Sequence, residues 1–322
     1  MTMKRLMLLA VFLLAASAAQ AQVFRAYLAS YGNDTNPCSI TAPCRLLPAA
    51  LNAVQDGGEV WMLDSANFNS GTVAISKSVS ILAVPGQLAS IVTLAGAPAL
   101  ALPQANVKVA LRNLLIADNA NNPGVQGIYI TANVTLSIED CIFANLAYEA
   151  IYADVYNVVN TSSIHIKNTV FRNVGGIRGN IYWVAVRAGN GPTVSIMSSQ
   201  FLTTGGVLGY SNMAGATTTV NVTDSYMSDG FHGVFTPTYG AGAVARSFVT
   251  RTTLHNLMYP LTAQTSPSGA GTATITVSDS ASLGNYYAYW MDGAGATIRS
   301  LGNNSISDNA HSIGALTLQP LQ

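Results

Sequence analysis

A short pattern of apolar and polar positions recurs along the chain about every 27 residues. In Leu136–Asn145, two apolar residues stand two positions apart, a polar residue follows two later, and then come a bulky apolar residue and a second polar one. With Ile138 as the reference, equivalent positions recur at spacings of 26 to 30 residues: Ile81, Leu111, Ile166, Ile196, Val222, Val249 and Val277. A fixed period of this length indicates a solenoid of stacked coils.

Two polar columns and one bulky apolar column accompany the reference positions. Asn and Asp favour sharp bends because their side chains bond nearby backbone and tolerate unusual dihedral angles. The first polar column, two residues after the reference, contains Asn113, Asp140, Asn168, Ser198, Asp224 and Asp279, with Arg251 as the exception. The second, seven residues after it, contains Asp118, Asn145, Asn173, Thr203, Asp229 and Asn256. The apolar column between them contains Ile116, Phe143, Phe171, Phe201, Met227 and Leu254.

The repeat predicts an all-β fold. Each unit contains two or three short apolar stretches and no helical pattern, which excludes ankyrin and tetratricopeptide repeats, and it is too short for a propeller blade of about 40 residues. Coils that pair in register stack with a rise of about 4.8 Å. We therefore predict a right-handed parallel β-helix of roughly nine coils, which begins with a strand at 59–63 and ends in a degenerate coil at Leu301.

The residues before the repeats predict a signal peptide and a cap. Residues 1–21 contain Lys4 and Arg5, an apolar run and a small-residue cleavage site, a pattern typical of a secreted or periplasmic bacterial protein. Residues 22–58 are predicted to cap the stack with a disulfide between Cys38 and Cys44 and an amphipathic helix at 45–55. Residues 59–322 would then form the β-helix. No later apolar run is long enough to span a membrane.

The composition limits the classes of partner. Only 9% of the residues are charged and the formal net charge is zero, so the chain lacks the basic footprint of a nucleic-acid-binding protein. The four histidines lie in separate coils, and the Gly-rich segments have no lysine placed to bind phosphate. We therefore predict no metal, no cofactor and no nucleic-acid partner.

The polar and aromatic columns resemble a known group of proteins. Three features are similar to secreted bacterial members of the pectate-lyase-like superfamily. They are the polar ladder Asn113, Asp140, Asn168 and Asp224, the stack Phe143, Phe171 and Phe201, and the N-terminal segment from GNDTNPCSITAPC to VAISKSVSILAVPG. The similarity extends over nearly the whole mature chain. It implies the parallel β-helix but no single function, because the superfamily includes lyases, hydrolases, adhesins and surface proteins.

The catalytic patterns of that superfamily do not transfer to this sequence. Polygalacturonases use clustered aspartates with a histidine, whereas this chain has no Asp-Asp pair, and its HIK segment at 165–167 has no aspartate close by. Pectate lyases hold calcium with several carboxylates, whereas the carboxylates of this chain are dispersed or belong to the polar columns. Neither set of catalytic residues can be assigned by resemblance.

One charged column is a candidate for catalysis. Arg112, Glu139 and Lys167 each follow a reference position by one residue and should point outward on neighbouring strands. Glu139 could act as a general base between two cations that bind an acidic sugar. Glu149 and Asp154 in the same coil are the carboxylates that could approach it. The alternative is a solvent-exposed ladder of alternating charges, which contributes little to the stability of the fold.

One aromatic column is a candidate for ligand binding. Tyr148, His232, Tyr259 and Tyr287 stand ten residues after their reference positions, and exposed rings on one face could stack against sugar rings. The alternative is that they fill the core.

These features predict a secreted, non-enzymatic scaffold that binds polysaccharide or a cell-surface protein along its long face. The alternative function is a polysaccharide lyase or glycoside hydrolase. A third possibility is a structural domain that assembles through its last coil, where Arg299 falls in an otherwise apolar column.

Overall fold

The computed structural model describes residues 22–94, 96–119, 124–155, 158–175, 184–266 and 271–319. The predicted signal peptide lies outside the described residues. Within them, three parallel β-sheets wind around one continuous apolar core, and the prediction of an all-β parallel β-helix is confirmed. No helix in these ranges is long and apolar enough to cross a membrane.

Sheet A contains twelve of the described strands. They are β1 (Val23–Leu28), β2 (Val54–Met62), β4 (Val79–Ala83), β7 (Lys108–Arg112), β10 (Thr135–Glu139), β13 (Ser163–Lys167), β16 (Thr193–Met197), β19 (Thr217–Thr223), β22 (Val244–Thr250), β25 (Thr272–Ser278), β28 (Ala296–Ser300) and β31 (Thr317–Leu318).

Sheets B and C contain nine and ten of the described strands, so the chain makes about ten turns, one more than predicted. Sheet B contains β5 (Ala89–Thr93), β8 (Leu114–Asp118), β11 (Ile142–Ala144), β14 (Val170–Arg172), β17 (Gln200–Leu202), β20 (Tyr226–Ser228), β23 (Thr253–His255), β26 (Ala281–Leu283) and β29 (Ser305–Ser307). Sheet C contains β3 (Val73–Ala74), β6 (Leu100–Leu102), β9 (Ile128–Ile130), β12 (Ile151–Asp154), β15 (Val186–Gly189), β18 (Val207–Tyr210), β21 (His232–Thr238), β24 (Tyr259–Thr265), β27 (Tyr287–Asp292) and β30 (His311–Ile313).

The register of sheet A follows the predicted repeat. Ile138 pairs with Leu111 on one side and Ile166 on the other, and the same register continues coil by coil to Val277. The reference residues are buried, while the residues next to them within each strand, such as Ser137 and Glu139 beside Ile138, point outward. A slip of one residue would expose this whole apolar set, so the core fixes the register.

The two polar columns form the corners of the coil. Every residue of the first column, including Arg251, has a φ between 46° and 56°, which lets the chain turn sharply from sheet A into sheet B. The second column behaves in the same way from Asn145 to Asn256, whereas Asp118 is not among the residues with positive φ. Side chains also bond between coils, as when Asn173 Nδ2 donates to Asn145 Oδ1 at 2.9 Å.

The phenylalanine column forms a stack inside the core. The ring centroids of Phe143 and Phe171 are 5.1 Å apart, and those of Phe171 and Phe201 are 4.6 Å apart, with nearly parallel planes. All three side chains are fully buried. The apolar position between the two corners therefore fills the middle of the solenoid.

The N-terminal residues cover one end of the core. A disulfide joins Cys38 and Cys44, as predicted. The helix α1 (Leu47–Ala53) is shorter than the pattern predicted, because the chain turns at Val54 into β2. Leu47, Ala50 and Leu51 on its inner face are buried in the main core. Strand β2 crosses the predicted boundary between cap and solenoid at residue 58.

The last coil differs from the prediction by one residue. Ser300, and not Leu301, lies opposite the reference residue Val277. Arg299 therefore pairs with Thr276 on the outer face and is exposed, so the prediction that it interrupts an apolar column is wrong. The apolar pattern weakens here because this coil has neighbours on only one side over most of its length.

Candidate functional site

A pocket of about 340 Å³ opens on the outer face of sheet C, in the middle coils. In β12, Ile151 and Ala153 point into the core, so Tyr152 and Asp154 point outward. On the next strand Arg187 lies beside Tyr152, and on the strand after that Leu208 lies beside Arg187. We call this site the sheet C pocket; its lining residues are Tyr152, Asp154, Arg187, Asn190, Leu208, Tyr210, Asn212, Met213, Pro237 and Tyr239.

Asp154 is the centre of a hydrogen-bond network in the sheet C pocket. The Tyr210 hydroxyl donates to Asp154 Oδ2, and the Tyr152 hydroxyl approaches the same oxygen at 3.5 Å. Asn190 Nδ2 donates to Asp154 Oδ1 at 3.1 Å, while Asn190 Oδ1 accepts from the backbone N–H of Asn212 at 3.0 Å. Burial, and then the bond to Asp154, raise the pKa of Tyr210, so this hydroxyl remains a donor. Both carboxylate oxygens are engaged within the protein.

Gly189 makes the contact between Tyr210 and Asp154 possible. It lies between them in sheet C, paired with Asp154 on one side and Tyr210 on the other. A Cβ atom on Gly189 would lie 2.3 Å from Tyr210 Cζ and 2.6 Å from its hydroxyl oxygen. The absence of a side chain lets the ring cross one strand and reach the next.

Arg187 lies against two aromatic rings and faces a buried carboxyl. Its Cζ is 4.9 Å from the ring centroid of Tyr152 and 5.3 Å from that of Tyr210, distances typical of cation–π contacts. Its Nη1 is 3.8 Å from Glu149 Oε1. Glu149 is only 3% exposed; burial raises its pKa, and the charge of Arg187 acts in the opposite direction.

The carboxyl groups of the sheet C pocket are engaged within the protein. A glycosidase needs two carboxyl groups that reach the substrate from opposite sides of the bond. Glu149 is buried behind Arg187, and Asp154 already accepts from protein donors on both oxygens. Cys141 is also unsuited as a nucleophile, because burial raises the pKa of its thiol to about 12.

The charged column predicted from sequence lies on sheet A. Arg112 Nε donates to Glu139 Oε2 at 3.0 Å, and Lys167 Nζ is 3.6 Å from Glu139 Oε1. A depression of about 130 Å³ lies beside Arg112 and Glu139. Glu149 and Asp154 do not join this column, because they lie before and at the end of β12 in sheet C. The carboxylate of Glu139 is therefore occupied by its two cations.

The aromatic column predicted from sequence is brought together only in part. The ring of His232 stacks on Tyr259 at 5.2 Å, and Tyr259 stacks on Tyr287 at 5.1 Å. Tyr148 is half-buried and takes no part in this stack. Neighbouring rings cover the faces of Tyr259, so a ligand there would meet ring edges. Burial lowers the pKa of His232 to about 4.

Sequence reasoning missed most of the sheet C pocket. Arg187, Asn190 and Tyr210 follow loops of unequal length, so they occupy no fixed distance from the reference position. Alternation within β12 could have grouped Tyr152 with Asp154, because one small apolar residue separates them, as expected for one outward face. It gives no signal for Arg187, Asn190 or Tyr210.

Comparisons with known proteins find similar folds at low similarity. No model of a known protein family matches the chain, and no curated protein sequence matches it. A rhamnogalacturonan lyase is similar over 82% of this chain and 75% of its own, with 12% identity and a TM-score of 0.44. The pectate lyase Pel9A is similar over 94% and 78%, with 11% identity and a TM-score of 0.44.

The third similar structure is a GH136 lacto-N-biosidase from Eubacterium ramulus. The aligned region covers 92% of this chain and 68% of the lacto-N-biosidase chain, with 11% identity and a TM-score of 0.44. Similarity at this level is shared by solenoids with different reactions, so it assigns neither a reaction nor a ligand.

Proposed function

We propose that the protein is a secreted β-helix that binds a glycan in the sheet C pocket and does not cleave it. The pocket itself is the observation that carries this proposal. Its volume of about 340 Å³ suits a small ligand segment. It combines aromatic rings with a few polar groups held in fixed orientations, the combination expected of a site that binds sugars through ring contacts and hydroxyl bonds.

The rim of the pocket supplies the groups that a glycan would meet first. Tyr239 is 41% exposed, and Asn212 is also exposed. A ring contributes apolar area with a polar tip, and a carboxamide both donates and accepts hydrogen bonds. The Asp154 network behind them holds the pocket in shape, which lowers the cost of ordering on binding.

A polysaccharide lyase or glycoside hydrolase is the second candidate function. The observation that favours it is the presence of two carboxyl groups at one site: Glu149 lies 3.8 Å from Arg187, and Asp154 lines the same pocket as Arg187. This reading requires Glu149 to become accessible to the substrate. Its burial and its contact with Arg187 make the binding function the better-supported one.

Secretion agrees with two features of the chain. The disulfide between Cys38 and Cys44 is of a kind that persists in oxidising compartments, and residues 1–21 have the pattern of a signal peptide. A cell-surface protein is the alternative partner and would bind the long outer faces, whereas the sheet C pocket is the site with the stronger support.

A glycan array tests the proposed function when binding and cleavage are scored on the same probes. We expect binding of at least one glycan class, with no release of reducing or unsaturated ends. In titration calorimetry, Tyr239→Ala should weaken that binding by about tenfold or more. The matched control is Tyr226→Ala, since Tyr226 is exposed to a similar extent on sheet B.

Three results would count against this proposal. Release of new chain ends would replace it with the enzymatic function. Equal binding by the Tyr239 and Tyr226 variants would place the site elsewhere. An array with no binding at all would remove the glycan function.

A further inference from the structure

We infer that the sheet C pocket selects uncharged glycan segments over segments rich in uronic acid. This inference names the ligand class of the same site and therefore rests on the proposed function. It follows from the charges that the pocket already contains and from the way in which each is engaged.

Among the described residues of the pocket, one cation lies with two carboxyl groups. Arg187 is the only Lys or Arg among the described residues that line it. Asp154 lies in the lining as well, and Glu149 lies 3.8 Å behind the guanidinium group. Protein carboxyl groups thus already match or exceed the positive charge at this site. A uronate carboxylate would bring a third acidic group to a single cation.

Arg187 is also held in place by its neighbours. The rings of Tyr152 and Tyr210 pack against its guanidinium group, and Glu149 contacts Nη1. A uronate that bound through Nη1 would displace Glu149 from that nitrogen. The displacement would leave a buried carboxyl group without its cation, which is strongly unfavourable.

Asp154 adds direct repulsion. Three protein donors approach its carboxylate. An arriving carboxylate would meet this charge in a pocket partly shielded from water, where like charges interact more strongly than in bulk solvent. An uncharged sugar does not meet this repulsion.

Uncharged sugars match the chemistry of the groups at the rim. A hydroxyl group both donates and accepts, as does the exposed carboxamide of Asn212. The ring of Tyr239 offers apolar area to the C–H face of a sugar. No cation is needed for either contact.

Matched glycan pairs test this inference. Each uronic-acid-containing probe on the array is compared with its carboxyl-reduced form, which keeps the same linkages and length and differs only in charge. We expect each reduced form to bind the protein about tenfold or more tightly than its acidic parent. Binding of the acidic parent should also increase with added salt, because salt screens repulsion.

An Asp154→Asn variant locates the source of the selectivity. It removes one negative charge and keeps an acceptor for Tyr210. It should therefore narrow the difference in affinity between the acidic and the carboxyl-reduced glycan of each pair. The matched control is Asp292→Asn, because Asp292 is exposed on the outer side of the same sheet but lies outside the pocket; it should leave the difference unchanged.

The possible results separate this inference from the proposed function. Tighter binding of the acidic parents, or equal binding within the pairs, would overturn the inference while the glycan function stands. If Asp154→Asn left the preference for uncharged glycans unchanged, the charge of Asp154 would not be its cause, and the inference would fail. An array with no binding in either member of any pair would overturn the proposed function and this inference with it.

Discussion

The hydroxyl group of Tyr210 donates a hydrogen bond to the carboxylate of Asp154, which lies two coils away in sheet C. Adjacent coils are separated by about 4.8 Å, so the tyrosine must cross the intervening strand. It does so over Gly189. The shape of the pocket therefore depends on a single glycine in β15.

Gly189→Ala should disrupt the pocket and leave the fold intact. The new Cβ atom would displace the Tyr210 ring, since it would lie 2.3 Å from Cζ. We expect the free energy of unfolding to fall by about 1–3 kcal/mol, because a bond to a charged group is lost, and we expect weaker glycan binding. Chemical unfolding and calorimetry measure the two effects.

Gly71→Ala is the control for this change, because a Cβ atom there meets no atom within 4 Å. Wild-type stability and binding in Gly189→Ala would show that the Tyr210 contact does not organise the pocket.

Thr203→Asn should stabilise the protein. Thr203 is a β-branched residue with a φ of 53°, a conformation that such residues adopt only with strain. The neighbouring corners are Asn173 and Asp229, at similar φ values. We expect a gain of about 0.5–1 kcal/mol in the free energy of unfolding in urea.

The control for this prediction is Thr223→Asn in the regular strand β19. Asn is disfavoured in strands, so no gain is expected there. A loss of stability in Thr203→Asn equal to that in the control would contradict the role given to the corner.

Phe171→Ala should remove the centre of the phenylalanine stack. Its ring lies between those of Phe143 and Phe201 and is fully buried. A cavity of this kind costs about 3–5 kcal/mol, measured as a lower urea midpoint. Phe248→Ala, at a ring 41% exposed on sheet A, is the control and should cost far less. Similar losses at both sites would contradict the core assignment.

His232 should make the stability depend on pH. Burial lowers its pKa from 6.5 to about 4, and among the described residues its Nδ1 has no hydrogen-bond partner. Between these values the unfolded chain binds a proton and the folded chain does not. Stability is therefore full above pH 6.5 and falls as the pH drops to about 4, by on the order of 3 kcal/mol.

Unfolding curves at several pH values measure this effect. His232→Phe should remove that part of the pH dependence, since its neighbours Phe235 and Tyr259 already pack ring against ring. His255→Phe is the control at an exposed position and should retain it. A pH dependence unchanged by His232→Phe would refute the assignment.

The fold could be predicted from the sequence wherever a residue packs against equivalent residues in the coils above and below it. The reference positions, the corners and the phenylalanine stack recur because each coil must fit the coils above and below it. The prediction failed at Ser300, where the last coil lacks a complete neighbour. It also failed to place Arg187 and Tyr210 together, because the preceding loops differ in length and the Tyr210 contact depends on Gly189, whose role appears only when the strands pair.

Hydrogen–deuterium exchange with the tightest-binding glycan from the array locates the ligand on the protein directly. We expect slower exchange on binding in the loop that contains Asn212 and Met213 and at the ends of β12 and β15, with no change around Arg112 and Glu139 on sheet A. Protection confined to sheet A, or to the stack of His232, Tyr259 and Tyr287, would contradict the assignment of the sheet C pocket as the binding site.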